Sequence, residues 1–247
     1  VYDYNLEYID LFHKQATKMN LYVFDEKGVF VTELKEESGA FAPDYLMTLP
    51  GAMAGRRYIF VAWSGLYGES YDKVTLTPGV STLEDLEVSV NNLKTRIGGG
   101  VVDRELHLLW HGKQTEVSPQ YNNDITTVSL LKNTKKFRII MQMLDDSSIH
   151  VDDYDFRIIS PNGRYNHENG LLGDETDEKV EYTAYHTEDD PETGAIAELN
   201  TLRLMTDTEN RLVIILFFKG MDGNGNYISV DVQINGWLIR KQEVDGV

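Results

Sequence analysis

His107 and His111, in Leu106-His107-Leu108-Leu109-Trp110-His111, stand four residues apart, the spacing at which a helix could present two ligands to zinc. On a strand that spacing keeps both rings on one face but about 13 Å apart, too far for one ion. No Glu falls between them in the metalloprotease position, and the flanking residues read as strand, so both are expected to be partly exposed strand histidines. Asp222-x-Asn224-x-Asn226 supplies the first three ligand positions of a calcium loop. Tyr227 then replaces the glycine of the sixth position and Gln233 the bidentate glutamate of the twelfth, so a glycine-rich β-turn is expected instead. Gly98-Gly99-Gly100 lacks both the G-x-G-x-x-G spacing and a following helix, and reads as a loop. The acidic groups Asp145-Asp146, Asp152-Asp153-Asp155 and Glu188-Asp189-Asp190 read as solvated loops. Paired carboxylates can hydrolyse glycosides, but only at a set separation across a pocket, which a sequence does not provide.

G-x-S-x-G, P-loop and H-E-x-x-H motifs are absent. No nucleophile, base and stabiliser can be assembled, so the expectation is no catalysis, no cofactor and no transition metal. Trp63, Trp110, Trp237 and fourteen tyrosines leave sugar stacking open, because flat aromatic faces pack on pyranose rings. Trp63 lies in an alternating run and is expected in the core. Trp237 follows the bend at Asn235-Gly236 and is the candidate for stacking on a sugar.

The elements that must hold these residues are strands. Ile228, Val230, Val232 and Ile234 alternate with Ser229, Asp231 and Gln233, one dry face and one wet. Short runs of the same character recur at Met19–Phe24, Val29–Leu34, Arg57–Trp63, Thr126–Leu131, Phe137–Leu144, Asp155–Ile159, Val180–Tyr185 and Leu202–Met205. Leu212–Phe218 is apolar on both parities, as a central strand covered on both faces would be. Turn residues separate the runs at Glu26-Lys27-Gly28, Pro50-Gly51, Pro78-Gly79 and Pro161-Asn162-Gly163. Glu7–Lys18, with Asn5 as cap, and Ser81–Leu86 predict short helical pieces, too short to cover a sheet. The expected architecture is all-β, two antiparallel Greek-key sandwiches in tandem. The polar island Lys132–Lys136 divides them into residues 1–132 and 133–247.

The chain has 247 residues and a formal charge of −17, so nucleic acid is excluded as a partner: its phosphates need Lys and Arg in a patch that this sequence lacks. Without cysteine there are no disulfides, thiolate zinc sites or thiol catalysis. No stretch approaches the ~18 apolar residues of a membrane-spanning helix. The sequence opens at Val1 rather than at an initiator Met, which leaves room for a leader upstream.

Val1-Tyr2-Asp3-Tyr4-Asn5, then Leu11-Phe12 and Lys18-Met19-Asn20-Leu21-Tyr22-Val23-Phe24-Asp25, resemble the opening of the FimB-type fimbrial anchor family of Bacteroidia, minor subunits of type V pili in the fimbrillin-like superfamily. Gly28–Val31, Tyr58–Trp63, Leu109–Gly112 and Val128–Thr134 extend the match. The resemblance implies two transthyretin-like sandwiches, export, a lipidated cysteine upstream and attachment to the outer membrane as a cell-surface lipoprotein. It implies a non-catalytic subunit at the pilus base that meets a shaft subunit by strand complementation and stops growth. An anchor tethered upstream would keep its first strand, so Val1–Tyr4 is expected to complete its own sheet, with Tyr2 or Tyr4 burying its ring. The lipobox cysteine is not in this sequence, nor is the acidic, aromatic strand that family members tend to carry after the segment resembling Trp237–Glu243. A surface polysaccharide-binding, lectin-like protein on the same scaffold is the alternative.

Overall fold

A computed structural model describes residues 1–5, 7–53, 55–91, 94–96, 99–117, 125–143, 149–172, 179–191, 194–205, 208, 210–216 and 228–233. Among them helix is confined to Phe12–Gln15 and three single 3-10 turns. The strands of the first half are β1 (Lys18–Asp25), β2 (Phe30–Glu37), β3 (Tyr58–Ser64), β4 (Tyr71–Lys73), β5 (Val88–Val90), β6 (Lys94–Arg96), β7 (Gly99–Val102), β8 (Trp110–Val117) and β9 (Leu131–Lys132). Those of the second are β10 (Thr134–Met141), β11 (Tyr154–Ser160), β12 (Arg164–Tyr165), β13 (Lys179–Thr183), β14 (His186–Asp190), β15 (Gly194–Leu202), β16 (Arg211–Leu216) and β17 (Ile228–Gln233). The fold is all-β, and pairing is antiparallel except between β7 and β13.

The first sheet runs β2-β1-β3-β8-β9. The β1–β2 hairpin closes because the Asp25 carboxylate accepts the N–H groups of Lys27 and Val29, while Gly28 takes a φ of 79°. Alternation along β1 and β3 feeds two cores. Tyr22, Phe24, Val61 and Trp63 point one way; Leu21, Val23, Phe60 and Ala62 point the other. Each such large side chain contributes about 1.5–3 kcal/mol by leaving water, so this sheet is anchored on both faces. The smaller of the two cores is roofed by Leu11 and Phe12 from the N-terminal segment and by Phe41 and Met53 from the β2–β3 connection.

At residue 132 the chain leaves the first sheet, and β10 enters another, β10-β15-β14. Pairing nevertheless crosses this junction. β7 lies parallel to β13 in the sheet β17-β16-β11-β13-β7-β6, and β5 pairs with both β4 and β12. The larger core accordingly joins Tyr22, Trp63, Val88 and Leu109 to Phe156, Ile158, Tyr182 and Leu199.

Several expectations change. Within the polar island, Asn133 and Thr134 are buried. The helix expected over Glu7–Lys18 contracts to four residues, and Asn5 does not cap it. Thr126–Leu131 is strand only from Leu131, and Leu202 ends β15, with no strand over residues 203–205. Gly99 and Gly100 open β7, and Glu188–Asp190 lie in β14, so neither is loop. β16 is interior to its sheet, paired on both sides, and β17 pairs with it as Ile228–Gln233. Phe217, Phe218 and Ile234, the calcium-like segment Asp222–Asn226, and Trp237 lie outside the described residues, as do Asp145 and Asp146.

Candidate functional site

The N-terminus pairs with the segment that enters β9. Val1 N donates to Val128 O at 3.0 Å, and Leu130 N donates to Val1 O at 2.8 Å. That is the bonding of a parallel bridge across Ser129. It needs segment 128–130 close to β8, and Gly112 permits this: a Cβ there would collide with the Ser129 carbonyl oxygen. The next residue turns inward. Tyr2 is only 6% exposed, its ring edge-on to Trp110 at 5.8 Å. Tyr4, by contrast, is 77% exposed, and no strand forms over residues 1–4.

The segment is then folded back on itself. Leu11 N donates to Tyr2 O at 2.9 Å, and one oxygen of Asp10 accepts from Tyr2 N and Phe12 N. Burial works against the Asp10 carboxylate, but those two N–H groups outweigh it and hold its pKa below the usual value. Asn5 organises the tip. Its amide donates to Tyr2 O and Ile9 O, its side-chain oxygen accepts from Glu7 N, and its carbonyl accepts from Tyr8 N. Tyr8 is thereby held at φ 53°.

A second turn of the same construction sits at the junction of the halves. Asn166 Oδ1 accepts from Glu168 N and Gly170 N, and Asn166 O accepts from Asn169 N. Asn169 is held at φ 62°. Asn5-Leu6-Glu7-Tyr8 and Asn166-His167-Glu168-Asn169 thus share Asn, Glu and a left-handed fourth residue. The second turn is clasped from three sides. Asn133 and Asn169 exchange amide hydrogen bonds at 2.7 and 3.0 Å, both buried. Arg203 donates to Asn169 O, and Lys113 pairs with Glu168.

His111 completes the clasp. It lies in β8 as expected, but it is buried, edge-on to Trp63, with Nε2 3.0 Å from His167 O. A carbonyl can only accept, so the proton is on Nε2. Burial pushes this pKa down to about 4, with the charges of Arg203 and Lys113 adding to the effect and Glu168 opposing it. His107 precedes the strand and is exposed; its Nδ1 is 2.9 Å from Ser70 Oγ. Ser–His contact of this kind would suggest a nucleophile, but Ser70 is enclosed and also accepts from His107 N, so it ties two loops together. No group of three or more His, Asp or Glu side chains converges among the described residues.

Neither turn was foreseen. The N-x-E-x repeat is visible in the sequence, but it is short and polar, and only the backbone shows that both copies close alike.

The family described as fimbrillin-A associated anchor proteins Mfa1 and Mfa2 matches residues 1–216. Among solved structures, a candidate polysaccharide-binding protein from Bacteroides thetaiotaomicron is 33% identical with a TM-score of 0.79, over 94% of this chain and 78% of that one. A candidate adhesin from Bacteroides ovatus has the same fold at 23% identity and a TM-score of 0.76, over 95% of this chain and 75% of that one. The fimbrial anchor protein Mfa2 from Porphyromonas gingivalis also shares the fold, at 17% identity and a TM-score of 0.65, over 90% and 75% of the two chains. A search of curated proteins gave no match. With nearly the whole described fold inside the matched range, the chain belongs to the family of fimbrillin-A associated anchor proteins.

Proposed function

We propose that this protein is a non-catalytic subunit that attaches a fimbria to the outer membrane and terminates its growth. In this reading a lipid upstream of Val1 holds it at the cell surface, and one shaft subunit is its partner. The observation that carries the reading is the parallel bridge of Val1 across Ser129, with Tyr2 buried against Trp110. Strand complementation needs an open edge or groove into which a neighbour's strand can fit. Here the outer side of the segment entering β9 is occupied by the protein's own first residues. A subunit filled from within offers no acceptor at that edge, so addition of subunits stops.

Hydrogen exchange and pilus length test this together. The amides of Tyr2, Leu11 and Leu130 should exchange slowly, and cells lacking the protein should carry pili of altered length that shed into the medium. Fast exchange at all three amides, or pili unchanged in length and attachment, would count against termination.

A second reading, a surface protein that binds polysaccharide, is favoured by a different observation: the outward-facing tyrosines of the N-terminal loop. The relative at 33% identity that is named for polysaccharide binding supports it. The two readings are compatible, because the buried edge and the exposed tip are different parts of one segment.

A further inference from the structure

Tyr4 and Tyr8 are 77% and 85% exposed, and every other aromatic side chain among the described residues is buried or half-buried. Both belong to the single loop closed by Tyr2 and Leu11. Folding does not account for them. Tyr8 occupies a left-handed position that a bulky residue adopts only at a cost, whereas the matching place in the other turn holds Asn169, a residue type that tolerates it. The Tyr8 ring recovers nothing by burial. The loop is nonetheless stiff, tied by Asn5 and Asp10, so its rings are presented rather than loose. Strain of this kind, held by surrounding bonds, is a mark of functional segments.

We propose that this loop binds neutral glycans, with Tyr4 and Tyr8 stacking on pyranose faces and the carboxylates of Asp3 and Glu7 accepting hydrogen bonds from sugar hydroxyls. The site rests on the polysaccharide-binding reading and gives it a location. Aromatic faces carry negative charge density that attracts the C–H groups on one side of a pyranose ring. Asp3 and Glu7, both exposed, stand beside the tyrosines in sequence and need donors from whatever covers them. A hydroxyl-rich ligand supplies those donors. An acyl chain or apolar peptide would strip water from both carboxylates and return nothing. The formal charge of −17 repels anionic polymers, which leaves uncharged sugars.

The test uses the full chain with α- and β-linked glucans, mannan and galactan, a polyuronate as the anionic counterpart, and phosphatidylcholine vesicles. Wild type is compared with the double variant Tyr4→Ser/Tyr8→Asn, which alters two exposed side chains, and thermal melting confirms that the variant folds. At least one neutral glycan should retard the wild type in affinity electrophoresis, and the double variant should bind about tenfold more weakly or worse. Equal binding by wild type and variant would overturn this site while leaving polysaccharide binding intact. No binding to any neutral glycan would overturn both. Tyrosine-dependent binding confined to the polyuronate, or to the vesicles, would replace a neutral glycan with an anionic polymer or a lipid surface.

Discussion

The turns at Asn5 and Asn166 share a backbone and differ in everything around it. Each uses an Asn side-chain oxygen to accept the N–H two residues on, and each ends on a left-handed residue. The turn at Asn166 is wedged between the halves, its Asn169 paired with Asn133 and its His167 carbonyl bound by His111. The turn at Asn5 points to solvent and carries Tyr8 where its counterpart carries Asn169. One turn therefore does structural work, since its polar groups would be costly if left unmatched. The other is held rigid with no burial to show for it. The same local motif can be a rivet or a presenting surface, and its surroundings decide which.

The largest expected effect is at the buried turn. Asn169→Ala would leave the Asn133 amide unpaired and put an ordinary residue at positive φ, costing about 3 kcal/mol in denaturant unfolding. Asn133→Ala, with no backbone penalty, should cost about 2 kcal/mol. A loss below about 1 kcal/mol for Asn169→Ala would break the claim that this turn rivets the halves.

Acid should open the two turns in order. His111 titrates near 4 when folded and near 6.5 when unfolded, so the unfolded chain takes up its proton first as pH falls. The stability it contributes is complete above about pH 6.5 and drains away toward pH 4, a loss of about 2–3 kcal/mol. Lys113 and Arg203 face the ring and oppose its protonation, while Glu168 favours it. His111→Gln, which keeps a donor for the His167 carbonyl, should flatten this slope in melts across the range. Asp10 has the opposite charge type but a depressed pKa, so its support persists above the ordinary carboxylate value and is lost only as pH falls below it. Hydrogen exchange should therefore show protection failing around Asn169 before it fails at Tyr2 and Leu11.

Smaller effects sharpen the contrast at the outer turn. Asp10→Ala should destabilise by about 1 kcal/mol, because the N–H groups of Tyr2 and Phe12 lose a shared acceptor at a partly exposed site. Tyr8→Asn copies the buried turn's sequence into the exposed one. It should stabilise by about 0.5–1 kcal/mol in chemical unfolding, the reverse of what a packing residue would show. A clear destabilisation by Tyr8→Asn would mean that the tyrosine supports the fold.

Much of the architecture was legible from period-two patterning. The runs Met19–Phe24 and Arg57–Trp63 are strands as their alternation implies, but both of their faces are buried, because a second core roofed by the N-terminal segment and the β2–β3 connection covers the side that alternation leaves wet. Short strands without such runs escaped notice. β5 and β12 have too few residues to establish a period, and β14 is written His-Thr-Glu-Asp-Asp, a surface sequence held in place by β15. Lys132–Lys136 reads as a polar island, and its polarity does not announce that Asn133 is buried; Asn169, which arrives from elsewhere, bonds its amide there.

The sequence by itself determined the all-β class, the hairpin turn at Gly28, the core placement of Trp63 and the family resemblance, since each rests on residues within one short stretch. Tertiary structure alone decided that His111 is buried while His107 is exposed, that Tyr2 packs while Tyr4 does not, and that β7 crosses to pair with β13. Those outcomes depend on which distant surface covers a residue, and desolvation is imposed by the covering partner, not by the residue covered.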